Sequence, residues 1–454
     1  MAVGRSGPVG GAPAGAPQDP AALLRSRGYL GLLLLAALLG LPICAAAFGF
    51  LALVHELEPL LYHDLPTALG FSASPVWWPL PLLAAGGLLV VLIIRHLPGD
   101  GGHEPADGFA FSGPPPLAAL PGIVLAALAT LACGAVLGPE APLIALGGGL
   151  AAGAVRLLRR DAPEQAVGVV GAAGSFAAVS TLFGSPLLGA FLLMETSGQG
   201  GALLGAVLVP GLLASGIGAL IFTGLGDWTG LGTYSLTLHH VPEAAAPTLP
   251  EFGWALVIGA LAALAGCGVR RLSLALKGRV IRHRLPVTVA MALAVAGLAI
   301  AFAEATGEPA TELLYSGQSA LGSLFDHTAG FSAAALVLLV VCKGLAYCAS
   351  LSCFRGGPIF PAMFIGAVGG VALAHLPGLQ ITAASAMGIG AMTVAMLRLP
   401  LTSVLMAALL LGRPGLTVLP LVIVAVVVAY VLTARLTPAA RPGEGSQKGS
   451  PGRA

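Results

Sequence analysis

Charge is what this chain has least of. Only 21 Lys and Arg and 19 Asp and Glu occur among 454 residues, 9% of the total, where an ordinary soluble domain carries roughly 25%. So few charges cannot cover a surface against water. That excludes a soluble fold and leaves the bilayer as solvent over much of the surface. The formal net charge of +2 carries no nucleic-acid signal. Metal-ligand patterns are missing too. The six cysteines (Cys44, Cys133, Cys267, Cys342, Cys348, Cys353) form no CxxC pair and have no histidine cluster beside them; they read as buried free thiols. There is no HExxH and no pair of acids, so an intramembrane enzyme lacks its converging ligands or its nucleophile and base. No metal, cofactor or enzymatic activity is expected.

A signal-peptide layout is also absent. The first twenty residues are Gly/Ala/Pro-rich, and the apolar run that follows, Tyr29 to Val54, is too long for a secretory h-region and long enough to span a bilayer. Residues 1–28 read as a disordered cytoplasmic N-terminus. The polar segment after Thr437 reads as a disordered tail, 437–454, with no added regulatory domain.

What the chain has is apolar sequence, 57% of it, broken by 65 Gly and 35 Pro. Apolar segments lie at roughly 29–54, 78–96, 117–138, 143–158, 166–184, 186–195, 202–224, 253–274, 286–305, 331–352, 359–376, 382–397, 400–411 and 416–436. Several are shorter than the ~20 residues a spanning helix needs. Short spans bounded by Pro and Gly belong to transporters with broken helices. The expected fold is an all-α polytopic membrane bundle of about 14–18 helices, several of them broken or not fully spanning. Arg25 and Arg27 precede the first span, Arg270, Arg271, Lys277, Arg279, Arg282, His283 and Arg284 crowd what reads as one loop, and Arg435, Arg441, Lys448 and Arg453 end the chain. The positive-inside rule places these regions, and both termini, in the cytoplasm. The stretch Asp227–Pro250, with Trp228, His239, His240 and Glu243, has no Lys or Arg and reads as an outside loop.

An internal repeat is visible. GPEAPLIALGGG (138–149) and SPLLGAFLLM (185–194) recur as GGPIFPAMFIGAVGG (356–370) and LPLTSVLMAAL (399–409). Pro142 pairs with Pro361, and Pro186 with Pro400, at nearly equal offsets along the chain. The halves run over about 29–224 and 253–436. Repeated segments broken by Pro and Gly point to a midplane site. Glu140 stands just before one such helix. Free N–H groups and the partial positive charge of a helix N-terminus make an anion site, which a tethered carboxylate can occupy. An acid at membrane depth is a functional candidate by default. GGPIFP (356–361) opens the counterpart helix, and GDGGHEPADGF (99–109) is a third Gly/Pro loop before a helix.

GPEAP resembles the GxEGP motif of the chloride channel (CLC) family, GGPIFPAMF its GxFxP region, and GGHEP (101–105) falls where its GSGIP motif belongs. SPLLGAFLLMET (185–196) and LRLPLTSVLMAALLLG (397–412) resemble its proline-led interface helices. The resemblance covers about residues 30–436, in the manner of prokaryotic-type members without C-terminal CBS domains. It implies a homodimer in the plasma membrane with one pathway per subunit for chloride or another small anion, and protons as possible co-substrate. It implies two halves of inverted topology over 29–436. By the same resemblance Glu140 is the gating glutamate. Gly138, Ala141, Gly357, Ile359 and Phe360 surround the central anion, and Gly101, Gly102 and His103 approach it from the cytoplasm. The family's inner proton glutamate falls at Thr196 or, with a one-residue shift, at Glu195, which leaves channel and exchanger both open. Gly102 or His103 stands in place of the central serine. Pro139 and Pro358 each remove an N–H donor, Phe360 is shifted by one place, and Tyr430 lies too early to be the pore tyrosine. These erosions give a non-transporting membrane scaffold its place as the alternative.

Overall fold

A computed structural model describes residues 26–109, 113–197, 202–230, 238, 241–326 and 332–437. Among them every regular element is helical. The first half carries α1 (Arg27–Pro59), α2 (Pro79–His96), α3 (Leu120–Ala132), α4 (Glu140–Leu158), α5 (Glu164–Leu182), α6 (Pro186–Ser197) and α7 (Ala202–Thr229). The second carries α8 (Leu249–Arg282), α9 (Arg284–Thr306), α10 (Gln318–Asp326), α11 (Ala333–Cys353), α12 (Ile359–Leu373), α13 (Ile381–Leu397), α14 (Pro400–Leu410) and α15 (Leu419–Leu436). Nine helical segments among the described residues are long and apolar enough to cross a membrane. The protein is an all-α polytopic membrane protein. Leucines such as Leu30, Leu34 and Leu38 lie exposed along α1, an apolar face suited to lipid.

Backbone contacts at glycine, not bulky side chains, set the helix crossings, as expected where lipid tails are as apolar as leucine. A Cβ at Gly147 of α4 would strike the Gly174 carbonyl of α5, and one at Gly174 the Gly147 carbonyl. Gly366 of α12 and Gly388 of α13 exclude each other in the same way. Gly366 lies as far beyond Gly147 as Pro361 lies beyond Pro142, and Gly388 as far beyond Gly174 as Pro400 beyond Pro186. The offsets read from the prolines therefore recur in the contacts. Gly40 of α1 sits 2.9 Å, measured from a built Cβ, from the Ala214 carbonyl of α7. Its counterpart at the Pro142–Pro361 offset is Gly259 of α8, which sits 2.7 Å from the Ala425 carbonyl of α15.

Two segments depart from the sequence reading. The cluster Arg270 to Arg282 is not a loop: α8 continues through it as a helix of 34 residues. That is about 50 Å, well beyond a hydrocarbon core of ~30 Å, so the charged end projects past the apolar slab. Leu, Arg and Lys are good helix formers, and no proline interrupts them. Thr248 and Glu251 close a capping box at its other end, with the Thr248 amide donating to Glu251 Oε2 at 2.8 Å. Likewise Asp227 and Trp228 belong to the last turn of α7 rather than to a loop. His239 and His240, and the segments 1–25 and 438–454 read as disordered, lie outside the described residues. All six cysteines are buried free thiols.

Candidate functional site

The two loops named by the repeat meet. Gly138 donates to the Gly357 carbonyl at 2.8 Å, and Gly357 donates back at 2.6 Å. This antiparallel bridge brings the N-termini of α4 and α12 face to face. Helix α4 begins at Glu140, with Pro142 in its first turn, where a missing N–H costs nothing. The Glu140 side chain crosses to the other half, and its Oε1 accepts the Ile359 amide, the first of α12. The Phe360 amide and Glu140's own amide also act on the carboxylate. Oε2 is buried with no hydrogen-bond partner, and the residue is 0% exposed. The carboxyl fits only because its neighbours are glycines, since a Cβ at Gly138 or at Gly357 would overlap it.

Around this point the packing is rigid. Phe360 stacks on Phe183 with centroids 5.5 Å apart. Tyr347 of α11 is fully buried and donates its hydroxyl to the Pro358 carbonyl at 2.6 Å. Ser350 Oγ accepts the Val136 amide at 3.0 Å, a further tie between the halves.

On the side of the loops at 98–109 and 113–116 lies a cavity of about 500 Å³ that reaches Ala141 and Pro358. Gly102, His103 and Thr196 line it too. Its walls are otherwise mostly proline, alanine, isoleucine, leucine and phenylalanine. Gly101 is not on it; the place of its Cβ faces Ile94, Ala126 and Arg355. His103 Nε2 bonds the Gly108 carbonyl at 2.7 Å. The alternatives at the end of α6 point apart. Thr196 faces the cavity and donates to the Leu192 carbonyl at 2.7 Å. Glu195 turns to α14 and accepts the amides of Leu401 and Thr402, each at 2.8 Å.

Glu104, next to His103, is no free loop residue. It meets Lys277 of α8 at 2.5 Å, Arg355 at 3.1 Å and Arg284 at 3.7 Å, while Lys277 also meets Asp107 at 2.6 Å. Partial burial alone would raise the Glu104 carboxyl, but the Lys277 hydrogen bond and the charges of Arg355, Lys277 and Arg284 outweigh it and hold it below its ordinary value. Sequence reasoning passed over Tyr347 and Arg355. Arg355 carried a signal, a charge beside an apolar motif; Tyr347 carried none, since only the helix face it occupies marks it.

A family profile described as voltage gated chloride channel matches residues 86–434, well over half of the chain. The chain belongs to that family. The ion-transport protein YfeO of Escherichia coli O1:K1 is 29% identical over 418 residues, covering 90% of this chain and 94% of its own. The protein of the same name from Salmonella newport (strain SL254) is also 29% identical, over 417 residues, covering 90% of this chain and 96% of its own. Among solved structures, a slow cyanobacterial Cl-/H+ antiporter superposes with a TM-score of 0.69 at 20% identity, over 89% of this chain and 94% of its own. A CLC-type fluoride/proton antiporter gives 0.62 at 20% identity, over 90% and 96%. These likenesses fix the voltage gated chloride channel fold for the chain.

Proposed function

We propose that the protein moves small anions, chloride foremost, through one pathway in each subunit of a homodimer, with Glu140 as the gate. The observation that carries this is the Glu140 carboxylate, fully buried and seated on the first amides of α12. Those N–H groups form an anion site, and the carboxylate occupies it as a tethered anion. Protonation removes the charge that competes for the amides and frees them for an anion from solution. Gly138, Gly357, Ile359 and Phe360 frame the site, and Ala141, Gly102 and His103 line the approach to it. A non-transporting scaffold gives no reason for a fully buried carboxyl seated on an amide of the opposite half, so transport is the better reading, and no covalent chemistry is involved. The positive-inside rule puts the basic end of α8, and the cavity beside it, on the cytoplasmic side of the plasma membrane. In the dimer the apolar faces of α6 and α14, where Leu187, Leu401 and Leu409 are exposed, pack on a second copy; crosslinking of single cysteines on these two helices checks it.

Chloride efflux from proteoliposomes, with proton uptake recorded in parallel, tests the proposal. Efflux that depends on pH in the wild type and loses that dependence in Glu140→Gln is the expected result. No efflux from either protein overturns it. Proton uptake coupled to efflux identifies an exchanger, and efflux without it a channel.

A further inference from the structure

The 101–103 loop carries no serine; Gly102 and His103 line the cavity there, while Ser175 lines it from α5 with its hydroxyl donated to the Ile144 carbonyl at 2.8 Å. A glycine offers no side-chain donor, and the His103 Nε2 is engaged with the Gly108 carbonyl. Directly behind this wall stands a cation. The Arg355 side chain is only 5% exposed, and its Cγ lies 3.3 Å from where a Gly101 Cβ would be. Its guanidinium is fixed on three sides. Nε donates to the Asp100 carbonyl at 3.2 Å, Nη1 to the Phe354 carbonyl at 3.3 Å, and Nη2 to Glu104 Oε1 at 3.1 Å. Its backbone amide donates to Thr130 Oγ1 at 3.2 Å. Arg355 is three residues ahead of Pro358, which lines the cavity, and four ahead of the amide that holds Glu140.

We infer that Arg355 is an affinity-determining residue of the anion pathway: a buried fixed charge that attracts anions through the Gly101–Gly102 backbone, behind a cavity wall whose hydroxyls at Ser175 and Thr196 are donated to backbone carbonyls. The inference rests on the reading of the Glu140 site and the cavity as one anion pathway. Glu104 does not cancel this charge, because it is shared. Lys277 and Arg284 also approach it, and Asp107 pairs with Lys277. Within these ion pairs three cations face two acids, and the excess is positive. Arg355 is the most buried of the five, so water and salt screen it least. A charge behind the wall attracts a small anion without replacing its hydration shell.

The alternative is a purely mechanical role, in which Arg355 and Glu104 only clamp the 99–108 loop to the loop before α12. The two roles give opposite signs. The experiment measures chloride efflux from proteoliposomes against internal chloride concentration, at neutral and at acid pH, for wild type, Arg355→Met, Arg355→Lys, Glu104→Gln and Glu140→Gln. If Arg355 acts by its charge, Arg355→Met raises the half-saturating chloride concentration by about tenfold. Arg355→Lys keeps it near the wild-type value although it loses the planar fork, and Glu104→Gln lowers it, because one negative charge has gone. Equal losses in Arg355→Met and Glu104→Gln, with Arg355→Lys no better, overturn the inference and leave a clamp. Should Arg355→Met fail to fold, the direction of change in Glu104→Gln and the value in Arg355→Lys decide alone. The Glu140→Gln arm keeps the two readings separate. A pH response that survives in it sinks the gate, whereas the opposite signs at positions 104 and 355 bear only on the inner charge.

Discussion

Glu140 and Glu104 are each bound across the two halves of the fold, but by different kinds of partner. Backbone amides at a helix N-terminus hold Glu140, in a fully buried place. Side-chain cations hold Glu104, and Lys277 and Arg284 are 14% and 37% exposed. The amides carry no net charge, so under the proposed function a small anion takes the carboxylate's place on them. The cations lose a counter-charge when Glu104 leaves, so that carboxylate has a partner in every state. The first arrangement suits a gate and the second a strut, although the sequence presents both as a glutamate in a Gly/Pro loop.

The largest expected effect breaks the first arrangement. Glu140→Gln keeps the shape and removes the charge. Wild-type flux limited by one protonation changes by up to ~10-fold per pH unit, and the mutant should give a flat profile at or above the wild-type rate. A retained pH profile with wild-type flux would make Glu140 a mere cap. Next comes Gly357→Ala, whose Cβ overlaps the Glu140 carboxyl. It should displace that side chain, mimic the open gate and destabilise the fold by about 1–3 kcal/mol. The cost should shrink when Glu140 is also replaced by Ala, because the overlap then disappears; thermal melts of the two single variants and the double variant measure it. Additive losses would place the clash elsewhere.

The strut predicts a smaller, pH-linked effect. Glu104 is held below its ordinary carboxyl value, so its contribution to stability is complete above that value and is lost as pH falls through the lowered one. Glu104→Gln should melt a few degrees below wild type at neutral pH, and the gap should close in acid. A gap that widens in acid would contradict the sign. The smallest effect belongs to Tyr347→Phe, which leaves the buried Pro358 carbonyl without its donor and should cost about 1 kcal/mol. Its pH profile should stay glutamate-like. A flattened profile would instead make the Tyr347 hydroxyl part of the gate.

Much of this was legible in the sequence. Charge scarcity required a membrane fold, and the long apolar runs made it helical, because in lipid the backbone is satisfied only within helices or closed barrels and runs of this length are helical spans. The matched spacing of Pro142 with Pro361 and of Pro186 with Pro400 marked the two halves, and that spacing returns in the glycine contacts of α4 with α5 and of α12 with α13. Glu140 stood out as an acid in apolar text. The tertiary structure alone decided the partners. That Glu140 binds the amide of Ile359, that Glu195 turns to α14 while Thr196 faces the cavity, and that Arg355 backs the Gly101 loop all depend on where the second half packs against the first. The basic cluster read as a loop became the end of a long helix because helix length is limited by its stop signals, not by the thickness of the bilayer. Local sequence sets which segments are helical and apolar. Which carboxylate meets which amide or guanidinium is set by contacts between residues some 180 to 251 positions apart, and no local pattern encodes a pairing at that distance.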